Sequence, residues 1–254
     1  MTSAKSYIEV NSLNKAFGEK VILNDFNVQI HKSESFVVIG GSGTGKSVFI
    51  KCIMGLLKPD SGKISLNSHD ITDLSPNDRQ QIERFGMLFQ GGALFDSLSV
   101  WENVAFGLMN GQNMGREEAR KIALEKIDAV ELSAKVADLY PAELSGGMQK
   151  RVALARAIAT KPDIIFFDEP TTGLDPIVSG KINGLISKCV KELGATAITI
   201  THDMHSLRAI ADRVGLLFEG KLIWTGTVSE MDTTDNPYVQ QFINGNASGP
   251  FTVE

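Results

Sequence analysis

The stretch Gly40-Gly-Ser-Gly-Thr-Gly-Lys-Ser47 fits the pattern GxxxxGK[ST] in full. Its glycines, Gly40, Gly41, Gly43 and Gly45, let the backbone turn through positive φ and approach a ligand closely. Successive N–H groups, those of Ser42 and Thr44 included, can then converge on phosphate oxygens. Lys46 would bring a full charge to the β and γ phosphates of a nucleotide, and Ser47 a hydroxyl ligand for Mg2+. Asp168 and Glu169 end the apolar run Ile164-Ile-Phe-Phe167. A carboxylate at the C-terminal end of a buried parallel strand faces such a loop. Asp168 is expected to hold Mg2+ through water, and Glu169 to act as general base or to position the attacking water. The alternative is a solvated acidic turn.

These residues need elements to hold them. Phe36–Ile39, Ile164–Phe167 and Ala197–Ile200 are short apolar runs that suit strands of a parallel sheet buried on both faces. The segment Val48–Leu57 predicts a helix whose N-terminus adds partial positive charge to the phosphate loop. His202 follows Ala197–Ile200 and so falls on the same edge. The opening alternates Tyr7, Glu9 and Asn11 against Ile8, Val10 and Leu13, and Val21–Ile30 reads the same way, which predicts two antiparallel edge strands. Val214–Phe218 and Lys221–Thr225 flank Glu219-Gly220 as a hairpin. Ser75-Pro76 predicts a helix start running toward Glu83. Between Ala93 and Ala159 the spacing is helical, at Arg116–Val130, near Ser133–Leu139 and at Gly147–Ala159. The fold class expected is α/β, with a nucleotide-binding core over 1–92 and 160–235 and a helical insertion over 93–159. A C-terminal helix and tail follow over 236–254, irregular from Gly245.

Composition narrows the partners. With 43% hydrophobic and 22% charged residues the chain has a globular composition, and no apolar run approaches the roughly 18 residues of a membrane span. No secretory signal is expected, because no apolar stretch follows Met1–Tyr7. The net charge of −5 argues against nucleic acid or anionic lipid headgroups as the main partner. Cys52 and Cys189 read as small buried hydrophobes in a reducing compartment. His202 and His205, three apart, lack the further ligands of a metal site.

Leu144-Ser-Gly-Gly-Met-Gln-Lys-Arg151 resembles the signature of ATP-binding-cassette (ABC) ATPases, and the resemblance covers essentially the whole chain. It implies a P-loop fold with a RecA-like parallel sheet core, an antiparallel β edge and a helical signature subdomain. One departure is Met148, where the family most often has glutamine; methionine occurs there in some importer and lipid-transport branches. Ser145, Gly146 and Gly147 precede a helix, so a hydroxyl, exposed N–H groups and a helix N-terminus suit a γ-phosphate. Two anion cradles for one nucleotide imply a head-to-tail, two-fold dimer with ATP between the loop of one copy and the signature of the other.

The same resemblance implies further roles. Phe17 is similar to the aromatic that stacks on adenine, the alternative being a core phenylalanine on an edge strand. Gln90 resembles the glutamine that senses Mg2+ and water, Asp175 lies in the loop Gly173-Leu-Asp that crosses the dimer interface, and His202 resembles the switch histidine on the γ-phosphate. Gly92, Ala93, Leu94 and Phe95 resemble the groove that receives a permease helix. Gly92–Leu98, Met148, Gly173–Ile177 and Gln241–Gly245 with Gly249-Pro250 together resemble the ATPases of bacterial phospholipid-trafficking systems of the lipid-asymmetry type. That branch implies work at the cytoplasmic face of the inner membrane with an integral-membrane permease, a periplasmic MCE-domain protein and, in some members, a small STAS-domain protein. The rival readings are an amino-acid or osmolyte importer and a regulatory or scaffold cassette.

Overall fold

The computed structural model describes residues 6–251, so the first five residues and the last three of the expected tail lie outside the described residues. Two compact units are formed. One runs to Ile82 and resumes at Ile198; the other is Glu83–Ala197.

The first unit opens with β1 (Ile8–Phe17) and β2 (Lys20–Ile30), antiparallel from Phe17 opposite Lys20 to Ile8 opposite Ile30. The alternation holds at Ile8 and Val10; Leu13, out of phase with them, is also buried because the register shifts between Val10 and Leu13, where Ser12 takes φ 48°. Tyr7, expected on the outward face with Glu9, is buried as well: its N–H donates to the Ile30 carbonyl and the Lys32 ammonium lies 5.4 Å from its ring centre. Next come β3 (Ser35–Ile39) and α1 (Lys46–Met54), then β4 (Ser61–Leu66), β5 (His69–Asp70) and α2 (Pro76–Ile82). β4 pairs antiparallel with the free edge of β1, Ile8 opposite Leu66, which gives the sheet order β2-β1-β4-β5.

The second unit begins with β6 (Phe85–Leu88), followed by α3 (Val100–Gly111), α4 (Arg116–Ala129) and α5 (Gly146–Ala159). These helices pack on one another, and Val104, Leu108, Ala123, Ile127, Val152 and Leu154 along them are buried. Between α4 and α5 only short 3-10 turns occur, at Ala134–Val136 and Pro141–Glu143. No strand appears over 93–159, as the helical spacing predicts. β7 (Ile164–Asp168) pairs parallel with β6, Phe85 opposite Ile164, and α6 (Pro176–Leu193) follows. β8 (Thr196–Ile200) starts in this unit, where the Thr196 N–H donates to the Asp163 carbonyl at 2.9 Å.

The chain then re-enters the first unit through α7 (Met204–Ile210), β9 (Arg213–Phe218) and β10 (Lys221–Thr227). β9 runs parallel to β3, Phe36 opposite Arg213, and antiparallel to β10 across the Glu219-Gly220 turn. Phe36 to Ile39 have no exposed surface, as an apolar run covered on both faces requires. α8 (Val228–Thr233) and α9 (Pro237–Asn244) complete it. After α9 the chain folds back on itself. The buried Gln241 amide donates to the Asn246 and Phe251 carbonyls at 3.1 and 3.0 Å and accepts from the Phe251 N–H at 2.6 Å. This sets the Phe251 ring against Phe218, Tyr238 and Phe242.

Candidate nucleotide site

The glycine-rich loop from Gly40 to Gly45 joins β3 to α1. Gly45 stands at the helix N-cap with φ 108°, without a side chain to cap it, and the first turn holds no acidic residue. The leading N–H groups of α1 are therefore left to an anion. A Cβ on Gly45 would lie 2.8 Å from the Ile22 carbonyl oxygen, and one on Gly40 would strike the Leu217 carbonyl. The cradle is closed to side chains and lined by backbone, which fits a polyphosphate. Thr44 Oγ1 donates to the Gly41 carbonyl at 2.9 Å. Lys46 Nζ donates to the Gly40 and Gly41 carbonyls at 2.8 and 2.7 Å, which places its ammonium across the mouth of the loop. Ser42 and Gly43 are exposed and Ser47 is half-buried in the first turn of α1.

The far end of α1 is held by a residue that sequence reasoning missed. Arg79, on α2, is 1% exposed. Its guanidinium donates to the Cys52 carbonyl, to that of Ile53 at 2.6 Å, and to those of Thr72 and Leu74, each at 3.0 Å. Cys52 and Ile53 lie in the last turn of α1, where carbonyls lack helical partners and a cation is favoured.

Two more predicted residues lie in this unit. Phe17 ends β1 with half its surface exposed and the Lys15 ammonium 5.5 Å from its ring centre, so it is no core phenylalanine. His202 is exposed, one residue before Asp203, which caps α7 through the His205 and Ser206 N–H groups. Burial pushes the Asp203 carboxyl up. Hydrogen bonds from the Ser206 hydroxyl at 2.6 Å and from those two N–H groups outweigh it, and its pKa lies below the usual aspartate value.

The other unit contains Gln90, Ser145, Gly146, Gly147, Asp168, Glu169 and Asp175. Asp168 and Glu169 are half-buried where β7 ends. Glu169 adopts φ 49°, unusual for a non-glycine residue, and its carboxylate accepts from the Thr172 hydroxyl at 3.0 Å. Ser145 caps α5, with its Oγ accepting from the Met148 N–H at 3.4 Å, and Asp175 caps α6 through the Ile177 and Val178 N–H groups. Gln90 follows β6 with its side chain exposed, and its carbonyl accepts from Lys150 Nζ on α5. Burial lowers the Lys150 pKa, while the nearby charges of Asp168 and Glu169 pull it back up. Sequence reasoning missed Lys150, although a lysine amid the apolar residues of α5 was a visible signal.

Comparison with known proteins points to one family. A family model described as ABC transporter matches residues 23–172. The intermembrane phospholipid transport system ATP-binding protein MlaF of Haemophilus influenzae is 40% identical over 247 residues, covering 97% of this chain and 93% of that protein. The Escherichia coli K12 protein of that name is 34% identical over 249 residues, covering 98% and 92%. The probable ribonucleotide transport ATP-binding protein mkl of Mycobacterium tuberculosis is 41% identical over 244 residues, covering 96% and 68%. Among solved structures, a dimeric post-hydrolysis state of the ATP-binding cassette MJ0796 bound to ADP and Pi superposes with a TM-score of 0.78 and 34% identity, over 87% of this chain and 98% of that one. From the family match, supported over nearly its full length by these relatives, the chain belongs to the ABC transporter family as an ATP-hydrolysing subunit.

Proposed function

We propose that this chain hydrolyses ATP to drive phospholipid trafficking through a membrane permease. The observation that carries the reading is the near full-length similarity to proteins named for intermembrane phospholipid transport, together with Met148 in the signature. No described helix is long and apolar enough to cross a membrane, so the lipid path would lie in a partner. The exposed Phe89, Ala93 and Phe95, with the half-buried Leu94, offer that permease an apolar seat, whereas Gly92, expected in the same surface, is buried. The expected partners are an MCE-domain protein across the membrane and a small STAS-domain protein, with this chain at the cytoplasmic face.

In this reading the backbone of Gly40–Ser47 binds the phosphates, and Lys46 exchanges its bonds to Gly40 and Gly41 for phosphate oxygens. Phe17 stacks on the base. Ser145, Gly146, Gly147 and Asp175 serve the nucleotide of a second copy. Mg2+, when bound, would neutralise charge on the phosphates, with Ser47, Asp168 and Gln90 as its holders. Glu169 takes or orients the proton of the attacking water, and His202 hydrogen-bonds the γ-phosphate. Residues 93–159 act as the signature subdomain, and 236–254 stay docked on the dimer.

Affinity purification of the tagged protein from its own membranes in mild detergent, with mass spectrometry of proteins and lipids, tests the reading. A permease, an MCE-domain protein and co-purifying phospholipid are expected. A permease with a solute-binding protein would instead favour import of an amino acid or osmolyte. Soluble partners alone would remove transport from the reading.

A further inference from the structure

Helix α5 reaches the loop after β6 through two cations. Lys150 is 7% exposed and donates to the Gln90 carbonyl. Arg156 donates to the Gly92 and Ala93 carbonyls at 2.6 and 2.7 Å. The loop they grip is conformationally demanding, with positive φ at Gly92 (75°) and at the non-glycine Ala93 (48°). It therefore needs outside support to hold one shape.

The two cations differ in their electrostatic surroundings. Burial lowers the Arg156 pKa, and its guanidinium lies over the Phe95 ring; burial also lowers that of Lys150, while the charges of Asp168 and Glu169 act to raise it. A buried ammonium with one carbonyl partner is unfavourable unless opposite charge lies close. A neutral donor such as glutamine could tie the Gln90 carbonyl with less desolvation. What the lysine adds is a charge-assisted hydrogen bond to that carbonyl.

We propose that Lys150 is a positioning residue for ATP hydrolysis: from α5 it fixes the main chain of Gln90 through a charge-assisted hydrogen bond. The signature helix and the Gln90 loop then hold one arrangement. This rests on the roles given above to Gln90 and Glu169.

The test uses the full chain with Lys150→Met and Lys150→Arg. It measures kcat, KM, affinity for an ATP analogue without Mg2+, melting temperature, and hydrogen exchange of the Gly92 amide, which donates to the Phe89 carbonyl at 2.8 Å. Lys150→Met is expected to lower kcat about tenfold or more, with metal-free analogue affinity within about twofold and Gly92 exchange about tenfold faster. Lys150→Arg, which keeps a cationic donor, should recover most of the loss. A kcat near wild type in Lys150→Met overturns the proposal. So does an Arg variant no better than Met with an equal drop in melting temperature, since that marks a packing residue. Glu169→Gln run alongside separates the two readings: full turnover there removes the assigned role of Glu169, while faster Gly92 exchange in Lys150→Met still upholds the tie to Gln90.

Discussion

Gly45 and Ile22 meet at a spacing with no room for a side chain: a Cβ on Gly45 would stand 2.8 Å from the Ile22 carbonyl oxygen, on a backbone at φ 108°. The glycine-rich loop is thus braced from behind by β2. Gly45→Ala must both strain the backbone and displace that strand, at a combined cost of about 2–3 kcal/mol. The expected outcome is a lower melting temperature together with at least about tenfold weaker binding of a fluorescent ATP analogue. Wild-type binding in that variant would show that the loop does not depend on the close approach.

Glu169→Gln removes the carboxylate base and keeps the amide oxygen to accept from the Thr172 hydroxyl, which lies 3.0 Å from the native side chain. ATP binding should survive. Turnover should fall on the order of hundreds-fold, a barrier rise of about 3–4 kcal/mol. Steady-state phosphate release and equilibrium nucleotide binding on the same preparation check both halves.

Arg79→Leu deletes a buried guanidinium that holds the carbonyls of Cys52, Ile53, Thr72 and Leu74. Leaving carbonyls at the end of α1 buried and unmatched should cost about 3 kcal/mol or more. Arg79→Lys should recover little, because an ammonium cannot span the fork. Denaturant unfolding reads the loss, and near-native stability in Arg79→Leu would mean that water replaces the guanidinium.

The Asp203 cap carries a pH dependence with a definite sign. Its folded pKa lies below that of the unfolded chain, so its stabilisation is present above the unfolded aspartate value of about 3.9. It is lost as pH falls through the lower folded value. Asp203→Ala should therefore cost about 1 kcal/mol at neutral pH and almost nothing in strong acid. Thermal melts of both proteins between pH 7 and the acid limit of solubility should converge, and a constant gap would assign the effect to packing.

The tail clasp should be separable from catalysis. Gln241→Leu removes the amide that donates to the Asn246 and Phe251 carbonyls and leaves α9 intact. Protection of the Phe251 amide should be lost. If the tail stays docked on a dimer, deleting residues 245–254 should also weaken ATP-dependent dimerisation, as measured by sedimentation. Unchanged dimerisation and ATPase activity would leave the clasp a local closure.

The parts legible in the sequence were those with strict local rules. The glycines mark the tight loop between β3 and α1, and the apolar runs at Phe36 and Ile164 declare strands covered on both faces. β4 was not anticipated, because Ser61–Leu66 buries only Ile64 and Leu66 and shows little alternation. Arg79 gave no signal: its partners are backbone carbonyls, which every residue carries, so nothing in the letters marks them. Tyr7 misled because period-two alternation reads faces, while an aromatic at a strand entrance can turn inward beneath a lysine stem.

Cys52 gives α1 a built-in clock. Burial pushes its thiol up to about 11, and Cys189, on α6 in the other unit, is raised for the same reason. Neither sulfur is a useful nucleophile while its helix is closed. Alkylation by a maleimide would then proceed only through local opening, so its rate reports the opening equilibrium. Peptide mapping of the two adducts would time the breathing of each unit separately, and nucleotide should slow the Cys52 clock more than the Cys189 one.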